Sequence, residues 1–362
     1  MRGFQHRSAA GLNWINLELS QADEPTFVDA RLLPDRGLML VQARARLPGG
    51  RMAEVFFAPG EDEVASALNG GPQDFMGNAS FAFGGAVLAP FANRIRGIPS
   101  PLERTIETCI HGRRLKLRAN GGGKAPGAEQ YAIHGLILAE PVEEIRVEHG
   151  RGFVRAAGVI HAGDFGVGWP SSTELEIEWR LQAEALSLRV VARNLGAEQT
   201  PIGLGWHPYF AFPSGRRDQG RMRVPARSRL VVNNYDEVLP TGEVLPVVGT
   251  AYDFRAIGGR SLDDRYLDDC FVDLDKTAAG ETICEVIDPA ARYGLRVVSP
   301  SPHVSAIQTF SAPGRPFVVI EPQFNWANPY GAEWPPERAT GMVVLCPGEA
   351  VSYEVRLELF VP

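Results

Sequence analysis

Five polar side chains stand in apolar, turn-rich stretches of this sequence, where a charge or an imidazole is costly to bury without a partner. They are Arg94 in PFANRIRG, His134 in AIHGL, His207 in GWHPYF, Asp268 in LDDCF and Glu321 in VVIEPQ. Glu321 follows the apolar run 317–320, and a carboxylate at a buried strand end has its pKa raised unless it is paired, which suits a general base. His207 lies between Trp206 and Pro208-Tyr209-Phe210; the prolines at 208 and 213 put a strand end there and its ring at a rim. A carboxyl with a raised pKa and an imidazole titrating near neutrality would make an acid/base pair able to move protons in both directions. Arg94 and Asp268 offer planar donors and carboxylate acceptors. Each residue alone also fits a plain structural role: an ion pair for Glu321 or Arg94, core packing for His207, a turn for Asp268 beside Asp269, and a turn at His134-Gly135.

Other chemistries find no motif. The chain lacks G-x-x-x-x-G-K-[ST], H-E-x-x-H, G-x-S-x-G and a strand-glycine-helix dinucleotide fingerprint, so no cofactor is expected. The closest pairs among its seven histidines do not share a strand or helix face with a carboxylate at ligand spacing, so no metal is expected unless residues distant in sequence assemble a site. With 36 Lys+Arg against 43 Asp+Glu, a net charge of −7, there is no basic footprint for nucleic acid. The longest nearly apolar run, 81–92, is too short to cross roughly 30 Å of hydrocarbon, so no membrane partner is expected. Residues 1–19 hold no seven-residue apolar stretch and no small-residue cleavage site, which points to a cytoplasmic chain. The four cysteines are widely spaced without C-x-x-C and read as buried free thiols. Nothing in the sequence specifies an oligomeric state.

The elements that must position these residues are strands. Glycine (39) and proline (28) punctuate the chain too heavily for long helices. Residues 173–181 place Leu175, Ile177, Trp179 and Leu181 on one side and Glu174, Glu176, Glu178 and Arg180 on the other; residues 351–359 repeat the period of two. Further strands are expected at 38–46, 52–58, 143–148, 152–161, 185–193, 227–233, 270–274, 281–287, 294–299 and 316–321. One-sided alternation belongs to antiparallel sheets with one face on a core, so the expected fold is all-β, a large antiparallel β-sandwich in a single domain spanning 1–362. The glycine-rich stretch 119–128 reads as an exposed loop or, six residues before His134, a flap over a site.

In order, N-R-I-R-G, I-H-G-L, G-W-H-P-Y-F, P-T-G-E at Pro240 with Y-D-F at Tyr252, L-D-D-C-F and E-P-Q resemble the aldose 1-epimerase (galactose mutarotase) family from about residue 83 to the C-terminus. The resemblance implies a β-sandwich carrying a sugar site, a monosaccharide substrate and no cofactor. It implies Glu321 as catalytic base, His207 as catalytic acid, His134 as a second histidine near the ring oxygen, and Arg94 and Asp268 as sugar-hydroxyl binders, with Asp268 preferred over Asp269. The sequence departs from the commonest pattern at Leu136, after His134-Gly135, and at Gly205-Trp206, ahead of His207; both touch the pocket wall and so bear on which sugar is preferred. The implied reaction interconverts the α and β anomers of a free aldohexose: the base takes the C1 hydroxyl proton while the acid protonates the ring oxygen from the other side of the hemiacetal. The ring opens and recloses. Trp206 and Trp326 are candidate platforms for the sugar's C–H face, with core packing as the competing role. Competing readings are a non-catalytic sugar-binding protein, an epimerase of hexose phosphates using Arg96, Arg113 and Arg114, and a hydrolase or lyase using Glu321 with Asp268.

Overall fold

Alternating burial organises the chain into stacked antiparallel sheets. A computed structural model describes residues 4–7, 11–19, 24–100 and 102–362; the reading of residues 1–19 as leaderless falls partly on residues 1–3 and 8–10, outside those described. The strand Thr173–Gln182 is buried at every second residue, with Leu175, Ile177, Trp179 and Leu181 fully enclosed. It pairs with Phe153–Gly163 on one side and Ala185–Asn194 on the other, within a nine-stranded sheet that continues through Ala350–Phe360, Tyr293–Ser299 and Thr282–Asp288. Packed against it is the sheet that carries Asp268, Glu321 and His207: Ala226–Val232, Leu267–Leu274, Ala306–Ser311, Phe317–Gln323, Gly205–His207 and Ala86–Leu88 follow one another across it. A third, five-stranded sheet contains Thr26–Leu33 and Met39–Arg46. All strand pairings among the described residues are antiparallel, and one apolar cluster draws on all three sheets, joining Leu17 and Leu40 to Trp179, Ile307, Ile320 and Tyr353.

Several expectations need correction. The segment 52–58 is a strand only over Met52–Glu54. Of the four free thiols, Cys270 and Cys284 are buried, but Cys109 is exposed and Cys346 half-buried, because Cys109 falls on the outward side of the hairpin strand Thr105–Ile110. Trp206 is no sugar platform. It points from Gly205–His207 into the core, edge-on to Phe56, Phe210 and Trp179, since alternation sends it to the opposite face from His207. Trp326 packs edge-on to Trp334.

Trp179 anchors this arrangement: it is fully buried and donates its indole N–H to the Leu38 carbonyl at 2.9 Å, tying the nine-stranded to the five-stranded sheet. Trp179→Ala is therefore expected to destabilise the protein by about 3–5 kcal/mol in chemical denaturation. A loss under about 1 kcal/mol would show that the sheets are held together elsewhere.

Candidate active site

Strand register selects the face on which the site is built. Gln308 lies opposite Glu321 on one side and Cys270 on the other, and Gly205 opposite Gln323, so Asp268, Gln308, Glu321 and His207 project from the same side of the sheet. Phe271, Ile307 and Ile320 project from the other side into the core. The remaining two stand at a tight bend: Arg94 opens the short strand Arg94–Ile95, paired with Gln130–Ile133, and His134 directly follows that partner strand. Asn93 and His134 both adopt left-handed backbone (φ 59° each), an unfavourable state that the His134 N–H relieves by donating to the Asn93 carbonyl at 2.9 Å. The next residue must be glycine. Gly135 has φ 81°, and a Cβ there would lie 2.2 Å from the Ala89 carbonyl oxygen.

The five residues converge. His207 Nε2 lies 3.3 Å from Glu321 Oε1, and the His134 and His207 rings meet edge to face at 4.7 Å. The resemblance places acid and base on opposite sides of the hemiacetal, yet here the two are in direct contact. Tyr209 stacks on His207 at 5.3 Å, while Phe81 packs against His134 and His207 at 4.9 and 5.7 Å. Arg94 Nη2 is 3.5 Å from Asp268 Oδ2 and Arg94 Nη1 donates to Asn93 Oδ1; Asn93 donates to Gln308 Oε1, and Gln308 donates to Asp268 Oδ1 at 2.6 Å, closing a ring of four side chains. Glu321 is 1% exposed and His207 5%. Even so, Glu321 Oε2, Arg94 Nε and the Nδ1 atoms of both histidines have no hydrogen-bond partner in the protein, leaving polar capacity for a ligand.

Burial sets the charge states. It pushes Glu321 well above the usual carboxylate range, reinforced by Asp268 and opposed by Arg94. Burial lowers His207 to about 3, with Arg94 adding to the effect, and lowers His134 well below its ordinary value, with His207 and Arg94 contributing. His207 is thus a neutral imidazole in the free protein, not the near-neutral acid expected, because neither an isolated carboxylate nor an isolated imidazolium is tolerated at this depth. Asp268 is raised by burial and held down in part by Arg94 and Gln308. Burial thus drives the touching carboxyl and imidazole each toward its uncharged form. Glu321, His134 and His207 also bring three ligand-type atoms within 4.8 Å of one another, a donor set suited to a divalent cation, with the Arg94 guanidinium as a competing positive charge.

The adjacent aspartates face opposite ways. Asp269 is fully buried toward Arg229 Nη1 (3.1 Å) and the Tyr235 hydroxyl (3.0 Å); burial raises it to about 6 even with these two partners holding it down. The glycine-rich stretch is fastened: Lys124 and Ala125 donate backbone N–H groups to Asp236. Arg96 pairs with Glu129, and Arg113 and Arg114 are exposed on an outer hairpin strand. A surface cavity of about 720 Å³ lined by Thr250, Asp253, Arg255 and Arg260 holds none of the five residues, and its Arg255 is already paired with Asp253. Sequence reasoning missed Gln308, Phe81 and Tyr209; Gln308 stands among Ser305, Thr309 and Ser311, so its stretch carries no local signal.

The fold and this clustering define a mutarotase-type β-sandwich. A profile of the aldose 1-epimerase family matches residues 42–358, and the chain belongs to that family. Among solved structures it is similar to a galactose mutarotase-like protein from Clostridium acetobutylicum (17% identity, TM-score 0.76, covering 99% of this chain and 98% of that one). It is also similar to a galactose 1-epimerase from Lactobacillus acidophilus (17%, TM-score 0.68, 99% and 98%) and to an aldose epimerase homologue from C. elegans (18%, TM-score 0.68, 97% and 99%). At these identities the likeness speaks for the fold. No curated protein matches the chain. No helix among the described residues is long and apolar enough to cross a membrane.

The opposed aspartates make a direct test. Asp268→Asn should weaken binding of a site ligand, whereas Asp269→Asn, which faces Arg229 and Tyr235 on the opposite side of the strand, should cost about 3–5 kcal/mol of stability and leave ligand affinity in the folded protein largely unchanged. Equal losses of ligand affinity in the two folded variants, measured by calorimetry, would contradict this division.

Proposed function

We propose that the protein is an aldose 1-epimerase that interconverts the α and β anomers of a free aldohexose, working as one unit over its whole length. The observation that supports this best is the 3.3 Å contact between the buried Glu321 carboxyl and the His207 imidazole, with unsatisfied polar atoms around it. The C1 hydroxyl and the ring oxygen sit on the same anomeric carbon, so acid and base that touch can serve both from one side. Moving the shared proton from Glu321 to His207 creates a contact ion pair, not two isolated charges, and readies each group. Glu321 then accepts the C1 hydroxyl proton, His207 donates to the ring oxygen, and the ring opens. Rotation about C1–C2 and the reverse transfers give the other anomer. His134 faces His207 at the ring-oxygen side. Arg94 and Asp268, oriented by Asn93 and Gln308, hold sugar hydroxyls.

Polarimetry on freshly dissolved α-D-glucose or α-D-galactose is the test. The parent should accelerate mutarotation, and Glu321→Gln and His207→Asn should each reduce kcat by about 10²-fold or more. Sugar binding without acceleration would indicate a binding protein, and reducing ends released from an oligosaccharide a hydrolase.

The pH profile follows from the shared proton. The one-proton pair persists from about 3, where His207 takes a second proton, up to the raised pKa of Glu321. As pH falls through 6.5, the ordinary imidazole value, kcat/KM should stay level; as pH rises through the Glu321 value, it should decline. An acid limb near 6.5 that vanishes in His207→Asn would contradict the neutral imidazole.

A further inference from the structure

We infer that the buried Arg36–Asp74 ion pair is a positioning device for the His134–His207–Glu321 cluster, acting at a distance through residues 72–82 and Phe81; its catalytic consequence rests on the activity proposed above. The Asp74 side chain is fully buried and that of Arg36 is 9% exposed. Arg36 grips the carboxylate through both terminal nitrogens, at 3.1 and 2.7 Å, and the same carboxylate accepts the backbone N–H groups of Gly70 and Ala79. A buried ion pair contributes little net stability, since desolvation offsets its attraction; what it supplies is direction. Direction is needed here. The kinked segment Pro72–Ala82 turns through left-handed backbone at Met76 and Gly77 (φ 57° and 78°), and a Cβ on Gly77 would lie 2.6 Å from the Leu138 carbonyl carbon.

The segment is fastened on both sides of His134. Asn78 exchanges hydrogen bonds with Asn120, which in turn bonds the backbone N–H and carbonyl of Ile133, the residue before His134. Ser80 donates to the Leu138 carbonyl at 2.9 Å, four residues after it. The Arg36 turn belongs to the same block: Val142 donates to the Pro34 carbonyl and Gly37 to that of Glu140. Phe81 leaves this block to lie against both imidazoles, so His207 is held among Phe81, Tyr209 and His134. Releasing Asp74 frees Phe81 to shift, and the His207 ring with it. Misplacement of a reacting group by about 1 Å costs up to about 10²-fold in rate.

The test combines Asp74→Asn, Phe81→Ala and the double variant, read two ways. In spectra of the ¹⁵N-histidine-labelled protein, Asp74→Asn should move the ring signals of both His134 and His207, because the Phe81 ring current moves. In polarimetry it should lower kcat by about 10-fold or more with KM little changed, and adding it to Phe81→Ala should cost nothing further. Unmoved histidine signals, a parental kcat, or losses that multiply in the double variant would overturn the inference. Should Asp74→Asn not fold, Arg36→Met with Asp74→Leu keeps an apolar filling without the directional bonds and is judged by the same criteria. The spectral readout does not need turnover: a chain that fails to accelerate mutarotation yet shows both imidazoles moved would sink the proposed activity and leave the positioning role standing.

Discussion

A carboxyl and an imidazole, both withdrawn from water and touching, form the interaction on which the rest of this molecule depends. Separately, each is driven toward its uncharged form by burial, Glu321 upward and His207 downward. In contact they hold a proton that can be redistributed without placing a lone charge in a poorly solvated place. Strands Gly205–His207 and Phe317–Gln323 must therefore be paired in one register, with core residues beneath them sealing the other face. The sheet supplies precision and the burial supplies the tuning.

The site also shows how rigid strands and constrained loops divide the work. Glu321, Gln308 and Asp268 stand on paired strands whose spacing is fixed by the backbone ladder. Asn93 and His134 come from backbone held in a sparsely populated conformation, tolerable only because the chain around it leaves no alternative: the His134 N–H meets the Asn93 carbonyl and the Leu136 N–H the Ala89 carbonyl. The ring from Arg94 through Asn93, Gln308 and Asp268 joins the two kinds of support.

Much of this was legible in the sequence where side-chain type and local environment disagreed. Glu321 after four apolar residues and the alternation at 173–181 are local patterns, and the antiparallel sheets follow from them. The strand Thr26–Leu33 escaped because it is buried on both faces and shows no alternation. Ala306–Ser311 escaped because its buried Gln308, Thr309 and Ser311 look like loop residues until their partners across the sheet are known. The contact distance between His207 and Glu321, and the depth that makes His207 neutral, depend on pairing between segments more than a hundred residues apart, which no local pattern encodes. Phe81 was illegible for a similar reason: it meets the two imidazoles from a segment tied at Asp74, Asn78 and Ser80 to residues remote in sequence.

The neighbouring aspartates of Leu267–Leu274 have one more implication. Because 268 points to Arg94 and Gln308 and 269 to Arg229 and Tyr235, sliding this strand by a single position would strand a carboxylate among apolar core atoms and turn its twin away from Arg94. The two charges thus act as a ratchet tooth on each side of the ribbon, so that misaligned pairings are rejected during assembly by the same residues that give the finished sheet its two chemically different sides.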